Sequence, residues 1–257
     1  MAKNTRGKGR ADRRTRRNFD DHPHVMDDVI IDISAFSQRT RSRSPDDGRH
    51  SLVRARNQAQ GQYIAAIKTH QLTFGLGPAG TGKTWCATAL AAEYLERRSV
   101  RQIIFTRPAL ESGEHLGFLP GKVMDKLDPY FSTFRSYLCD LLGRGVVDCA
   151  LKNERIVFEP LAFMRGKTFD DAFVILDEAQ NCTRTQLLMF MTRIGENTRV
   201  VVNGDPAQTD ISGRSGLAEA ARRLQGLRDI HVHEFGAADV VRSDLVRRIL
   251  ERYQVSS

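Results

Sequence analysis

The eight residues Gly77-Pro78-Ala79-Gly80-Thr81-Gly82-Lys83-Thr84 constrain this chain more than any other stretch. Their spacing, G-x-x-x-x-G-K-T, is that of a phosphate-binding P-loop. A run of main-chain N–H groups has to wrap a polyphosphate, and Cβ atoms obstruct that wrapping, so Gly80 and Gly82 stand inside the turn. Lys83 brings a point charge to the β- and γ-phosphates, and the Thr84 hydroxyl can ligate Mg²⁺. The flanks agree with this reading. The apolar stretch Leu72–Leu76 enters the loop and the Ala/Leu-rich segment Trp85–Leu95 leaves it. That is a strand, a loop and a helix whose N-terminus faces the anion.

A P-loop needs a sheet to hold it, and the downstream sequence supplies one. Gln102–Phe105 is an apolar run stopped by Thr106-Arg107-Pro108, since a proline cannot donate to a central ladder. Phe173–Leu176 is fully apolar, as a buried parallel strand should be. Arg199–Asn203 is β-branched, and His231–Phe235 reads as a short strand. Between them lie helical segments: Tyr63–Lys68 before the P-loop strand, Asp128–Leu142 with Asp128 as N-cap and Pro129 at its first position, Arg184–Ile194 behind a Thr183/Gln186 capping box, and Gly216–Leu227. Cys149–Phe158 reads either as loop or as strand. Leu245, Ile249 and Tyr253 put an apolar face on a closing helix. Strands alternating with helices predict an α/β fold, a mostly parallel sheet with helices on both faces. Ligands in such sheets bind beyond the carboxyl ends of the strands, where each motif named here falls.

Asp177-Glu178 closes the apolar strand and is the expected partner of the P-loop. Asp177 is placed to hold Mg²⁺ through its water shell, and Glu178 to orient and deprotonate an attacking water. A protein that only binds nucleotide needs the metal ligand and no base, so Glu178 argues for hydrolysis. Gln208 follows a third strand and the Gly204-Asp205 turn, where an amide can contact the γ-phosphate and report its loss. Gln60 lies where the chain approaches the nucleotide base, and an amide can both donate to and accept from adenine. A solvent-facing helix residue is the alternative for Gln60. Arg107, Arg165 and Arg242 are candidates for a second cation on the γ-phosphate. The seven histidines form no metal-ligand spacing.

Charge enters the argument through its distribution. The chain of 257 residues has a net charge of +8. Residues 1–56 hold 14 Lys/Arg against 8 Asp/Glu, and the remaining 201 hold 25 against 23. Basicity therefore belongs to the N-terminal tail, and a nucleic-acid surface on the folded part has to be argued locally. Residues 1–50 are expected to form a basic, largely disordered extension on composition, whose Arg/Lys/Gly-rich residues 1–18 read as either a solubilising tail or an arm contacting nucleic-acid phosphates. Within it Val29–Ile33 is strand-like, suited to pack on the core or on a neighbouring subunit. The ordered domain is expected to span residues 51–257. The four cysteines show no CxxC spacing, no run of apolar residues spans a bilayer, and no secretory signal is present, so a reduced cytoplasmic protein without membrane contact is expected.

Taken in order, several motifs resemble the PhoH-like ATPases. They are the P-loop, Ile104–Pro108, Gly113-Glu114-His115-Leu116-Gly117-Phe118-Leu119-Pro120-Gly121, Phe163–Thr168, Val174–Asn181 with its Asp-Glu-Ala-Gln-Asn, and Gly204–Gln208. The match runs from about Gln60 to the C-terminal helix. The resemblance implies a RecA-like P-loop NTPase close to the first motor domain of superfamily 1 helicases, with ATP and Mg²⁺ as ligands, an association with phosphate starvation, and RNA or another single-stranded nucleic acid as partner. Longer relatives carry an N-terminal PIN ribonuclease domain, for which residues 1–56 are too short. Helicases of this kind have two RecA-like domains, the second supplying an arginine to the first. One domain here implies a homo-oligomer, a ring with ATP at subunit interfaces. Three functions compete at this stage: a motor or remodeller acting on RNA, a nucleotide-dependent switch or scaffold, and a small-molecule kinase. The Asp-Glu-Ala-Gln-Asn motif and the lack of an Arg-rich lid count against the last.

Overall fold

The strand Ala172–Leu176 shows why the fold has three layers. All five of its residues are buried, and successive side chains point to opposite faces. Phe173 and Ile175 join one apolar cluster, with Tyr63, Ile67, Leu90, Phe134 and Leu138. Val174 and Leu176 join another, with Phe169, Leu187, Phe190 and Leu217. A strand that is apolar on both sides has to be covered on both sides.

The computed structural model describes residues 51–108, 123–211, 215–241 and 252. Among these residues the order is α1 (Gln58–Thr69), β1 (Leu72–Leu76), α2 (Lys83–Glu96), β2 (Gln102–Thr106), α3 (Val123–Leu142), α4 (Arg144–Lys152), β3 (Ile156–Phe158), β4 (Ala172–Leu176), α5 (Arg184–Met191), β5 (Arg199–Gly204), α6 (Leu217–Leu224) and β6 (Ile230–Glu234). The six strands form one sheet in the order β3-β2-β4-β5-β1-β6. Each neighbouring pair is parallel. Helices α1 to α4 cover one face and α5 and α6 the other. This is a RecA-like α/β fold, as the sequence implied.

Local chemistry sets the elements. Helix α2 carries Ala87, Ala89, Ala91 and Ala92, all fully buried; spread around its axis, they show the helix covered on more than one side. Helix α5 begins at Thr183, whose hydroxyl accepts from the Gln186 N–H while the Gln186 side chain accepts from the Thr183 N–H. Such a cap is worth about 1 kcal/mol.

Several boundaries differ from expectation, among them the end of α6 at Leu224 rather than Leu227. Helix α3 starts at Val123, so its backbone is helical through Asp128-Pro129 and that pair marks no start. An interior proline forfeits one main-chain hydrogen bond, while the buried face Phe131, Phe134 and Leu138 holds the helix on the sheet. The ambiguous stretch Cys149–Phe158 contains both the end of α4 and strand β3. Helix α5 ends at Met191, three residues before Ile194. The Val29–Ile33 run, the Gly113–Gly121 motif, Arg242, and the closing helix marked by Leu245, Ile249 and Tyr253 lie outside the described residues.

Candidate functional site

Because the sheet is parallel, the turns leaving β1, β2, β4, β5 and β6 emerge at one edge. Main-chain bonds continue the ladders into those turns. Gly77 N–H donates to Gly204 O (3.1 Å), Asp177 N–H to Thr106 O (3.0 Å) and Phe235 N–H to Leu76 O (2.7 Å). Strand β5 lies between β1 and β4, so the Gly204-Asp205 turn separates the P-loop from the acidic turn.

The P-loop is enclosed on two sides. Gly77 has φ +132°, and a Cβ there would sit 2.4 Å from the Phe235 carbonyl oxygen, so only glycine fits. Val241 N–H donates to Gly80 O at 2.9 Å. On the other side Gln60 is buried, its Nε2 donating to Thr81 O (2.9 Å) and its Oε1 accepting from Arg56 N–H (2.8 Å). Gln60 therefore neither faces solvent nor offers a free amide to a base. It pins the phosphate turn, and contact with adenine would require these bonds to open.

Lys83 Nζ donates to Gly77 O (2.6 Å), Pro78 O (2.8 Å) and Thr81 Oγ1 (3.2 Å). Burial lowers its pKa, against the opposing pull of Asp205, Asp177 and Glu178. An ammonium folded onto its own loop is a cation that a phosphate oxygen can draw away, since an anion satisfies it better than neutral carbonyls do.

The acidic turn is held by side chains. Asp177 is buried. Its Oδ1 accepts from the Thr84 hydroxyl (2.9 Å) and its Oδ2 from Arg107 Nη2 (2.7 Å). Arg107 also donates through Nη1 to Tyr130 O (2.7 Å), and its guanidinium lies 4.7 Å from the Phe134 ring centroid. Its charge is thus engaged at Asp177 and along α3. Glu178 follows in the left-handed region, φ 56° and ψ 36°, and is exposed. Gln180 Nε2 donates to Glu178 Oε2 at 2.6 Å. Gln208 sits at the surface of the next turn, its N–H donating to Asp205 O at 3.0 Å.

These residues fit Mg²⁺ and a polyphosphate. Glycines at Gly77, Gly80 and Gly82 have φ of 132°, 88° and 87°, leaving a cradle that side chains would fill. A hydroxyl touching a carboxylate is a donor set suited to Mg²⁺, which keeps waters and phosphate oxygens as its remaining ligands. Among the described residues no group of three or more His, Cys, Asp or Glu forms a cage of another kind.

Some of the site was not assigned from sequence. Gln180 and Asn181, within the Asp-Glu-Ala-Gln-Asn motif, are both buried. Asp205 is more than a turn residue: its charge acts on Lys83. Tyr63 and Asn203 meet beneath the loop, the phenol donating to Asn203 Oδ1, with burial pushing the Tyr63 pKa well up. A tyrosine on an amphipathic helix gives no sign of such a contact. Among the described residues no helix is long and apolar enough to cross a membrane.

Comparison with known proteins places these features in a family. A family model described as "PhoH-like protein" matches residues 52–254. A PhoH-like protein of Bacillus subtilis is 45% identical over 224 residues, which are 86% of this chain and 70% of the relative. A PhoH-like protein of Mycobacterium tuberculosis is 44% identical over 80% of this chain and 59% of its own length. Protein PhoH of Escherichia coli is 42% identical over 87% and 62%. The chain thus spans less than two thirds of the mycobacterial and Escherichia relatives.

Proposed function

The chain belongs to the PhoH-like family, and from that premise we propose that it binds ATP with Mg²⁺ and hydrolyses it to drive a motor or remodelling action on RNA. The single observation that supports this most is the 2.9 Å bond from Thr84 Oγ1 to Asp177 Oδ1. It joins the end of the phosphate turn to the acidic turn, with Glu178 next in the chain. When bound, Mg²⁺ at Thr84 and Asp177 neutralises charge on the β- and γ-phosphates.

The protein groups divide the remaining work. Main-chain N–H groups of residues 80–84 and the N-terminus of α2 receive the phosphates. Lys83 leaves its carbonyl partners for the phosphate oxygens. Glu178 takes a proton from the attacking water as the water oxygen bonds to the γ-phosphorus and the bridging P–O bond to ADP breaks. Gln208 is the residue assigned to report loss of the γ-phosphate. Arg107 serves Asp177 in this reading, so a second cation on the γ-phosphate comes from elsewhere. A neighbouring subunit in a ring is the proposed source, with Arg242 a candidate.

Phosphate release measured with and without single-stranded RNA tests the reading. Several-fold stimulation is expected of a motor. An unchanged rate supports the second reading, a nucleotide-dependent switch or scaffold, which the bonds joining Glu178 to the Asp205 turn also suit. Light scattering tests the assembly: a monomer with a concentration-independent specific rate removes the shared-site proposal.

A further inference from the structure

Gln180 joins two turns that the proposed chemistry needs. It is 3% exposed. Its Nε2 donates to Glu178 Oε2 at 2.6 Å, and its Oε1 accepts from the Asp205 N–H at 3.1 Å. These partners fix the amide orientation. Turned over, the oxygen would face a carboxylate and the NH₂ would face an N–H. A donor at one end and an acceptor at the other, on a planar group of this reach, is what a glutamine offers and what glutamate or lysine lacks.

The surroundings hold the two turns together. Asn181 Nδ2 donates to Asp210 Oδ2 (3.1 Å), and Asp210 N–H donates back to Asn181 Oδ1 (2.8 Å). Thr209 Oγ1 donates to Gln180 O at 3.3 Å. Gly204 allows the approach, because a Cβ there would come within 2.8 Å of Gln180 Oε1 and 2.5 Å of Leu217 Cδ2. Beyond Asp205, the turn closes on Gln208 through the Gln208 N–H to Asp205 O bond. A continuous path therefore runs from the Glu178 carboxylate through the Gln180 amide and the Asp205 main chain to Gln208.

We infer that Gln180 is a positioning residue that fixes the Glu178 carboxylate for its water and transmits displacement of the Gln208 turn to it. This rests on the hydrolytic reading of Glu178. Glu178 is exposed, and an exposed glutamate is free to sample several rotamers. The charge-assisted bond from Gln180 selects one of them. Loss of the γ-phosphate at Gln208 then shifts Asp205, and the amide carries that shift back to Glu178.

Two variants of the full chain test this. Gln180→Glu keeps the size and the acceptor facing Asp205 N–H but puts a second carboxylate against Glu178. Gln180→Met keeps approximate volume and loses both bonds. Each is expected to lower kcat about tenfold or more while KM for ATP stays within about twofold, the pattern of a lost transition-state contribution. In a Glu178→Gln background, adding Gln180→Met is expected to change residual turnover by less than about twofold, because the two act as a unit. Hydrogen exchange over residues 205–211 should differ between an ATP analogue and ADP in the unmodified chain and lose that difference in Gln180→Met. Folded variants with unchanged kcat overturn the inference, as does a fall in kcat matched by a rise in KM. If Glu178→Gln alone retains full turnover, the hydrolytic reading fails first, which separates the two failures. A variant that does not fold is set aside in favour of the other, whose kcat and KM decide.

Discussion

The two turns that face each other at the carboxyl edge of the sheet are built on different principles. The phosphate turn Gly77–Thr84 is shaped by main chain: three left-handed glycines, a carbonyl–lysine cluster, and backbone contacts from Phe235 and Val241. The acidic turn Asp177–Asn181 is shaped by side chains, with the Asp177 carboxylate held by Thr84 and Arg107, and Gln180 and Asn181 locked to residues 205–210. The lesson is a division of labour. Main chain makes a cradle that any polyphosphate can fill, and its lysine has to be drawn off its own loop before it acts. Side chains fix the acids in advance, so Asp177 and Glu178 start from defined positions.

The largest expected effect breaks the comparison on its acidic side. Glu178→Gln should reduce turnover by about 10²- to 10⁴-fold, the usual worth of a general base, and leave nucleotide binding to the phosphate turn intact. Phosphate release and equilibrium ATP binding measure the two separately, and a parallel loss of both would mean that the turns do not divide the work. The next effect sharpens the structural contrast. Gly77→Ala forces a positive φ and a Cβ at 2.4 Å from a main-chain oxygen, and is expected to cost about 1–3 kcal/mol. Gly204→Ala crowds Leu217 Cδ2 (2.5 Å), Gln180 Oε1 (2.8 Å) and Gln180 N (3.0 Å) but needs no left-handed φ, and should cost less. Denaturant titration of both variants ranks them, and the reverse order would contradict a main-chain-built cradle.

The smallest effect lies beneath the phosphate turn. His233 is buried and its ring centroid is 4.5 Å from that of Phe235 and 5.4 Å from that of Tyr63. Burial lowers its pKa, His231 lowers it further, and Asp239 and a bond to the Ala59 backbone oppose them. His233 Nε2 has no hydrogen-bond partner among the described residues. A histidine kept neutral in the fold takes up its proton more readily when unfolded. Stability is therefore expected to fall as pH drops below the unfolded value of about 6.5 and to be regained above it. Melting temperatures at several pH values, compared with those of His233→Gln, check the sign; an identical slope in both proteins would rule out this source.

How legible the site was depended on what kind of contact made it. The cradle could be read directly, because main-chain wrapping demands glycine at fixed spacing. The strands β1, β2, β4 and β5 could be read for a similar reason: burial on both faces leaves uninterrupted apolar runs such as Phe173–Leu176. Contacts across the sheet left no such imprint. The Tyr63–Asn203 pair spans 140 residues, and the Gln180–Asp205 bond depends on β5 lying beside β4. Strand order decides which turns meet, and nothing in a strand's own composition declares its neighbours. The same blindness hid the bonds that tie Gln60 to Thr81 O and Arg56 N–H. Asp-Pro is a genuine local start signal, yet α3 begins upstream of it at Val123.

The bond from Val241 N–H to Gly80 O has a mechanical consequence. After strand β6 the chain packs against Gly77 at Phe235 and bonds to Gly80 six residues later. That segment works like a hinge pin: a force applied at residue 241 reaches the phosphate turn through a single main-chain hydrogen bond. A pull at Val241 would load the phosphate turn directly.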